Sequence, residues 1–464
     1  MQVYSTLHRR LVELEPASPG EIGIYVCGAT VQSEPHVGHG RYAVVFDVIR
    51  RYLIWRGNRV RYVRNITDID DKIIAAAAAA GETVTDRAKR IAAMFDEAYE
   101  ALGVLPPDIE PRATEHVSDM VTLITTLIER GLAYPADNGD VYFAVRALES
   151  YGKLSGRKPQ ELRAGARVEV SEMKNDPLDF ALWKSAKPGE PSWESPWGPG
   201  RPGWHIECSA MAARYLGSDF AIHGGGNDLI FPHHENEIAQ SEGATGQTFA
   251  RYWLHNGMLN LSGEKMSKST GRLIELSEAT KRFGGMSLRL FYLRAHYRSP
   301  LEFSEELLEG AASSYERLQR FLARSQTNVS AVPDPDLMER FVTAMDHDFG
   351  TPEAMALIFD AVAEANRALD AGNPLPGSEA AVREMLAVLG FTETQADQDG
   401  ISELALELGL VPQGLEELMA SILAARAEAR AMRDYARSDL IRERLEAAGI
   451  VVEDTADGAR WFRR

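Results

Sequence analysis

The segment HVGH, residues 36–39, has residue types suited to binding phosphate where a loop enters a helix. Backbone N–H groups at a helix N-terminus attract anions, and Gly38 lets the backbone approach a nucleotide closely. Imidazoles of His36 and His39 can donate hydrogen bonds to the oxygen atoms of a phosphoryl group that gains charge during reaction. Taken alone, the segment is a weak signal, and a chance pair of surface histidines is the default explanation.

A second segment, KMSKS, follows far downstream at residues 265–269. Its lysines, Lys265 and Lys268, can neutralise the charge of the β- and γ-phosphates as diphosphate leaves. A preceding turn at Gly263 suits a loop that closes over its substrate. A solvated Lys/Ser loop would explain this composition but not its occurrence together with HVGH.

The cysteine content and the charge limit the function further. Cys27 and Cys208 are the two cysteines and lie far apart in the sequence, so a structural disulfide is not expected, and inert buried thiols are the alternative. The net charge of −18 argues against general adhesion to nucleic acid. A local basic face can still hold a specific RNA, and the C-terminal region is rich in arginine.

The elements that would position HVGH can be inferred from its surroundings. IGIYVCG, residues 22–28, predicts a buried strand, and NRVRYVRNIT, residues 58–67, predicts another. Between them an apolar stripe indicates an amphipathic helix. The stripe is formed by Tyr42, Val45, Phe46, Ile49 and Leu53. A strand, a helix and a strand in this order predict a βαβ unit in a parallel sheet.

Further blocks of the sequence resemble one family. These are IYVCGATV, HVGHGR, YVRNITDIDDKI, GWHIECSAM, GGGNDLIFPHHENEIAQ, HNGMLNLSGEKMSKSTG, AMDHDFGTPEA and GIVVEDTADGARW. In this order they resemble successive segments of the cysteine-specific class I aminoacyl-tRNA synthetases. The resemblance runs almost from end to end, and CGAT and PHHENE are particular to the cysteine enzymes.

The resemblance implies one zinc ion bound by Cys27, Cys208, His233 and Glu237. The residue types agree, because two thiolates, an imidazole and a carboxylate suit zinc. His233 and Glu237 are spaced i, i+4, so they share one face of a helix. His234, three residues from Glu237, is a rival ligand, and the resemblance favours His233.

The family also implies roles for residues outside the metal site. It suggests Gly28, Thr67 and Trp204 around the amino acid, although Trp204 could equally be an ordinary core residue. Asp228, at a predicted strand end, is expected to face the ATP ribose. The catalytic candidates are His36, His39, Lys265 and Lys268, with Gly38 and Lys268 also contacting ATP.

The expected fold class is α/β. We predict a Rossmann-like parallel-sheet catalytic domain that is split by an insertion and followed by a helical bundle and a small C-terminal α+β module. The expected boundaries are 1–115 for the first catalytic half, 116–202 for the insertion, 203–245 for the second half, 246–311 for a stem-contact region with KMSKS, 312–391 for a tRNA-binding bundle and 401–464 for an anticodon-binding module.

The resemblance predicts a cysteine ligase that uses ATP with Mg²⁺. It would activate L-cysteine as cysteinyl-adenylate, release diphosphate, and transfer cysteine to the 3′ end of tRNA(Cys). We expect a monomer. No apolar run is long enough to span a bilayer, so we also expect a cytoplasmic protein with no membrane partner. The alternatives are a mycothiol-pathway cysteine ligase, which lacks most of the helical bundle, and a non-catalytic paralogue that binds zinc or RNA.

Overall fold

A computed structural model describes residues 1–16, 20–158, 173–261, 264–265, 274–325, 331–391, 404–405, 407–408, 410, 415–447, 450–455 and 458–463. The strands are β1 (Gln2–Ser5), β2 (Arg10–Glu13), β3 (Glu21–Val26), β4 (Arg59–Arg64), β5 (Ala133–Pro135), β6 (Val141–Phe143), β7 (Phe180–Ser185), β8 (Gly200–Pro202), β9 (Phe220–Gly226), β10 (Ala250–Asn256), β11 (Leu259–Leu261), β12 (Glu264–Lys265), β13 (Leu301–Phe303), β14 (Ile450–Thr455) and β15 (Gly458–Arg463). The helices are α1 (Val37–Trp55), α2 (Asp71–Ala80), α3 (Val84–Ala101), α4 (Val117–Glu129), α5 (Trp204–Leu216), α6 (Glu235–Thr245), α7 (Leu276–Phe283), α8 (Gly285–Leu293), α9 (Glu305–Arg324), α10 (Pro335–Asp346), α11 (Thr351–Asp370), α12 (Pro376–Val388), α13 (Leu415–Ala431) and α14 (Tyr435–Ala447). Across these described segments, no helix combines the length and the apolar character needed to cross a membrane.

Four parallel strands form the central sheet, in the order β10, β9, β3, β4. Ile24 of β3 pairs with Tyr62 of β4 on one side and with Ile222 of β9 on the other. Helix α1 returns the chain from β3 to β4, so the predicted βαβ unit is confirmed. The sheet also includes β10. This strand lies beyond residue 245, the boundary that the sequence predicts for the end of the second catalytic half. The crossover through α6 brings the chain back to the sheet there.

The segment between β4 and β9 carries a second sheet. Its antiparallel strands follow the order β5, β6, β7, β8. Trp183 of β7 is fully buried and packs closely against Gly200 of β8. A Cβ atom at Gly200 would lie 2.3 Å from Trp183 Nε1, so the approach needs glycine. Strand β8 leads directly into α5.

Helices α8 to α12 share one apolar core with α1. Tyr52 of α1 donates a hydrogen bond to Asp346 Oδ1 at 2.7 Å, and Trp55 Nε1 donates to Glu384 Oε1 at 2.9 Å. The Phe341 ring lies edge-on to Trp55, with centroids 5.9 Å apart. The helix that begins at HVGH is therefore packed directly against the helical region.

A buried arginine joins the same two parts. Arg289 of α8 pairs with Asp47 of α1, and both side chains are fully buried. Arg289 Nη1 donates to Leu102 O at 2.9 Å, and its Nε donates to Leu389 O at 2.7 Å. Gly390 has a φ of +78°, and a Cβ atom there would lie 2.0 Å from Arg289 Nη2. Glycine is therefore required beside the guanidinium.

We expect Arg289→Met to destabilise the protein by about 2 kcal/mol, because two carbonyl bonds are lost and Asp47 keeps fewer partners. Asp47 still accepts from Arg51 Nε at 2.8 Å and from Leu105 N at 2.9 Å, which limits the cost. Urea unfolding should measure the change. The control Arg59→Met removes an exposed pair with Glu21 and should shift stability by less than about 0.5 kcal/mol. Equal effects of the two changes would contradict the assigned role.

The C-terminal region has its own apolar cluster. Strands β14 and β15 form an antiparallel hairpin in which Ile450 pairs with Arg463. The cluster includes Leu418, Met419, Ile422, Ile441, Leu445 and Ile450. Two helices and a hairpin make the small α+β module that the sequence predicts.

Candidate active site

Four candidate metal donors reach one point from three separate segments. Cys27 directly follows β3, and its N–H donates to Gly224 O of β9 at 3.1 Å, which holds the residue at the carboxyl edge of the sheet. Cys208 lies in α5. His233 and Glu237 lie one turn apart where the chain enters α6. Open α/β folds bind their ligands at this edge of the sheet.

The donor atoms have the spacing of a metal centre. Cys27 Sγ lies 3.4 Å from Cys208 Sγ and 3.2 Å from Glu237 Oε1. His233 Nε2 lies 3.2 Å from the same Oε1, and all four donor atoms lie within 4.8 Å of one another. Ligands of a tetrahedral zinc ion are about 3.3–3.8 Å apart, given its bond lengths. The spacing of the four donor atoms therefore fits zinc. The two sulfur atoms are too far apart for a disulfide bond.

Burial sets the protonation of these groups. Burial raises the pKa of the Cys27 and Cys208 thiols above the ordinary value, and the proximity of each to Glu237 raises it further. Burial lowers the pKa of His233 well below the ordinary range, so the imidazole is neutral and can offer a lone pair. A divalent cation would instead stabilise the thiolates.

The rival His234 also lies beside the carboxylate. Its Nε2 is 3.9 Å from Glu237 Oε1, and its Nδ1 is 2.8 Å from His255 Nε2. His223 Nε2 lies 2.8 Å from Glu237 Oε2, and these two histidines form a second possible donor set with Cys27 and Glu237. The set with both cysteines has more thiolate donors, which zinc favours. His223 then lies beside Oε2 of Glu237 and orients this carboxylate.

The predicted amino-acid pocket adjoins the donors. Gly28 N donates to Asn65 Oδ1 at 2.9 Å, and a Cβ atom at Gly28 would lie 1.6 Å from Asn65 O. Glycine is therefore needed at this close approach. Thr67 is buried next to Asn65. The Trp204 indole stacks on the His233 imidazole with ring centroids 4.0 Å apart, so Trp204 contacts a candidate metal ligand.

The HVGH segment begins α1 with a reciprocal cap. His36 Nδ1 accepts from Gly38 N at 3.1 Å, and His39 Nδ1 accepts from His36 N at 3.1 Å. The two imidazoles stack with centroids 3.7 Å apart. These bonds fix both rings at the positive end of the helix, where phosphate binds favourably.

Arg41 connects this helix to the strands on either side of the KMSKS segment. It is 1% exposed, and its guanidinium donates to Met258 O at 2.9 Å and to Ser299 O. Met258 precedes β11, and Ser299 precedes β13. Burial lowers the pKa of Arg41 to about 10. The carbonyl contacts hold the base of the KMSKS segment against α1.

The other predicted residues are described in part. Lys265 lies in β12, where its backbone pairs with β11, but its side chain and all of Lys268 lie outside the described residues. Val37 N donates to Ile274 O at 3.1 Å, so the chain returns to the start of α1 after KMSKS. Asp228 is exposed in the turn that follows β9.

Comparisons with known proteins cover the whole chain. Residues 13–313 match the family of tRNA synthetases class I (C) catalytic domains, 340–393 match the DALR domain, and 413–461 match the cysteinyl-tRNA ligase anticodon binding domain. A cysteine--tRNA ligase of Methylobacillus flagellatus is 49% identical over 470 residues, covering 100% of both chains. That of Brevibacillus brevis is 46% identical over 486 residues with the same coverage. The chain belongs to the cysteine--tRNA ligase family.

Solved structures support the fold of this cysteine--tRNA ligase family member. A Mycobacterium tuberculosis methionyl-tRNA synthetase in complex with methionyl-adenylate has a TM-score of 0.59 at 17% identity, covering 87% of this chain and 94% of that one. A putative arginyl-tRNA synthetase from Campylobacter jejuni has a TM-score of 0.51 at 12% identity, covering 82% and 95%. The class I synthetase fold is therefore confirmed.

Three polar residues of the site were missed from the sequence. Glu207 Oε2 accepts from Thr67 Oγ1 at 3.0 Å, Asn65 accepts from a backbone N–H, and His223 contacts Glu237. His223 could have been predicted as a site residue, because it is a histidine in the otherwise apolar strand FAIHGGG. Glu207 follows Trp204 by three residues, which places both on one face of α5.

Proposed function

We propose that this chain is a cysteine--tRNA ligase that activates L-cysteine with ATP and Mg²⁺, forms cysteinyl-adenylate and diphosphate, and transfers cysteine to the 3′ end of tRNA(Cys). The observation that carries the proposal is the convergence of two thiols, an imidazole and a carboxylate beside the pocket of Gly28 and Thr67. The full-length likeness to proteins named cysteine--tRNA ligase supports the same conclusion.

Cys27, Cys208, His233 and Glu237 are the proposed zinc ligands. A zinc ion held there would bind the substrate thiolate, a selection that serine cannot match because its hydroxyl is a much poorer ligand. The protein itself shapes this region through Gly28, whose missing side chain lets the Asn65 backbone approach closely. We further propose that Trp204 and Thr67 contact the amino acid.

The nucleotide is proposed to bind along the edge that starts at α1. His36 and His39 would donate hydrogen bonds to the reacting phosphate, and Gly38 would admit it close to the backbone. Lys265 and Lys268 would neutralise the leaving diphosphate, and Asp228 would accept from ribose hydroxyls. The reaction needs positioning and charge stabilisation but no covalent enzyme intermediate.

The helical and C-terminal regions are proposed to dock tRNA. We assign residues 312–391 to a tRNA-binding bundle and 401–464 to an anticodon-binding module, with 246–311 contacting the acceptor stem. Exposed arginines of the module, among them Arg433, Arg437 and Arg442, supply local positive charge on an acidic protein. Charging should therefore weaken steeply as salt rises.

Charging of purified tRNA(Cys) with labelled cysteine tests the proposal. The full chain should charge tRNA(Cys) with cysteine and should discriminate strongly against serine. Cysteine-dependent ATP–diphosphate exchange should occur without tRNA. Transfer of cysteine to glucosaminyl-inositol with no tRNA charging would establish the mycothiol-pathway activity instead, and no exchange at all would indicate a non-catalytic protein.

A further inference from the structure

A directed chain of hydrogen bonds runs beside the metal donors, through residues of the proposed amino-acid pocket. Gly28 N donates to Asn65 Oδ1 at 2.9 Å, Asn65 Nδ2 donates to Thr67 Oγ1 at 3.5 Å, and Thr67 Oγ1 donates to Glu207 Oε2 at 3.0 Å. The first donor is a backbone N–H, which fixes the orientation of the Asn65 amide. Asn65 must then present its NH₂ group to Thr67. The Thr67 hydroxyl proton consequently points to Glu207.

Glu207 lies on the pocket side of α5. Trp204, Glu207 and Cys208 are spaced i, i+3, i+4, so they share one face of the helix. The other two residues of this face contact the site directly, since Trp204 stacks on His233 and Cys208 lies beside Cys27. The Glu207 carboxyl group is therefore held at the pocket wall by both the helix face and Thr67.

The surroundings of Glu207 are unusual for a purely structural carboxyl group. Glu207 is fully buried, and its Oε1 has no hydrogen-bond partner among the described residues. A buried carboxyl group with one donor is costly to maintain, and an apolar residue would pack there at less cost. A positively charged group bound nearby would offset this cost.

Resting on the proposed function, we propose that Glu207 is a positioning residue for the α-ammonium group of the amino-acid substrate. By accepting a hydrogen bond from the Thr67 hydroxyl, it directs a lone pair of the Thr67 oxygen towards the pocket. That lone pair accepts a hydrogen bond from the ammonium group. Glu207 acts through Thr67 and does not touch the substrate itself.

Probes with and without the ammonium group separate this role from general support of the fold. 3-Mercaptopropionate keeps the thiol and carboxylate of cysteine and lacks the ammonium group. We would measure the KM for cysteine and kcat in ATP–diphosphate exchange, the inhibition constant of 3-mercaptopropionate, and zinc content by metal analysis. The matched control is Glu379→Gln on α12, which alters another buried carboxyl group whose Oε1 has no partner among the described residues.

Glu207→Ala should raise the KM for cysteine about tenfold or more, as expected for a weakened bond to a charged group. The inhibition constant of 3-mercaptopropionate and the zinc content should stay within about twofold of the wild-type values. Glu207→Gln, which keeps an acceptor for Thr67, should recover part of the loss. Thr67→Val should reproduce the effect, and its combination with Glu207→Ala should add little because the two act in series.

Parallel loss of cysteine and 3-mercaptopropionate binding in Glu207→Ala, or a wild-type KM for cysteine in that variant, would overturn the inference. If Glu207→Ala does not fold, Glu207→Met, which fills the same space without an acceptor for Thr67, decides the same question. Absence of cysteine-dependent exchange in the wild-type protein would refute the proposed function instead, so the two failures are distinguishable.

Discussion

Replacing Cys208 with serine is expected to remove zinc and with it the binding of cysteine. Cys208 is 1% exposed, and its sulfur lies 3.4 Å from that of Cys27. The chain has two cysteines, so no further thiol can replace Cys208. A serine hydroxyl is a far weaker zinc ligand than a thiolate. We expect zinc affinity to fall by at least about 100-fold, with the KM for cysteine rising much more than the KM for ATP. Metal analysis after dialysis against a weak chelator measures the first effect.

The control for this change is Ala212→Ser, which adds a buried hydroxyl one helical turn beyond Cys208 in the same helix. It should keep one zinc per chain. Cys27→Ser should match Cys208→Ser, because both thiols belong to the same proposed donor set. Stoichiometric zinc in Cys208→Ser, or wild-type protein purified without chelators but lacking zinc, would refute the metal assignment.

Lys268→Ala is expected to slow adenylate formation by about 10²- to 10³-fold, the usual loss when one stabilising group of a transition state is removed. The described chain on both sides of KMSKS is anchored to the helix that begins at HVGH, because Arg41 donates to Met258 O before β11 and Val37 N bonds to Ile274 O. Lys268 is proposed to neutralise negative charge that develops on the leaving diphosphate. The KM for cysteine should therefore change by less than about twofold.

Single-turnover measurement of adenylate formation gives this rate directly. Lys281→Ala removes an exposed lysine from the neighbouring helix α7 and should leave the rate unchanged. A defect of Lys268→Ala confined to cysteine affinity would show that the lysine serves the amino-acid pocket instead. Equal slowing by both variants would indicate a general effect of positive charge.

Local patterns predicted the elements of this protein better than the contacts between them. The strand IGIYVCG and the apolar stripe around Phe46 are read from neighbouring residues, and the predicted βαβ unit is confirmed. The spacing of His233 and Glu237 likewise depends on one helical turn. The roles of these side chains stay predictions, although the fold brings the proposed zinc donors together.

The sequence could not predict contacts between side chains that lie far apart along the chain. Thr67 and Glu207 are 140 residues apart, and no periodicity relates them. His223 and His255 come to the site from strands β9 and β10, whose pairing follows from the crossover through α6. The same crossover explains why the sheet extends past residue 245. The choice between His233 and His234 also needs geometry, since both imidazoles lie near Glu237.

The core that α1 shares with helices α8 to α12 has a consequence for how the protein unfolds. Tyr52, Trp55 and Arg289 bind the two regions through buried and partly buried contacts, so neither can lose its structure without exposing the other. Urea should therefore melt the parallel sheet and these helices in a single cooperative transition. The C-terminal module has a separate core, and its backbone amides should exchange with deuterium through an opening of its own.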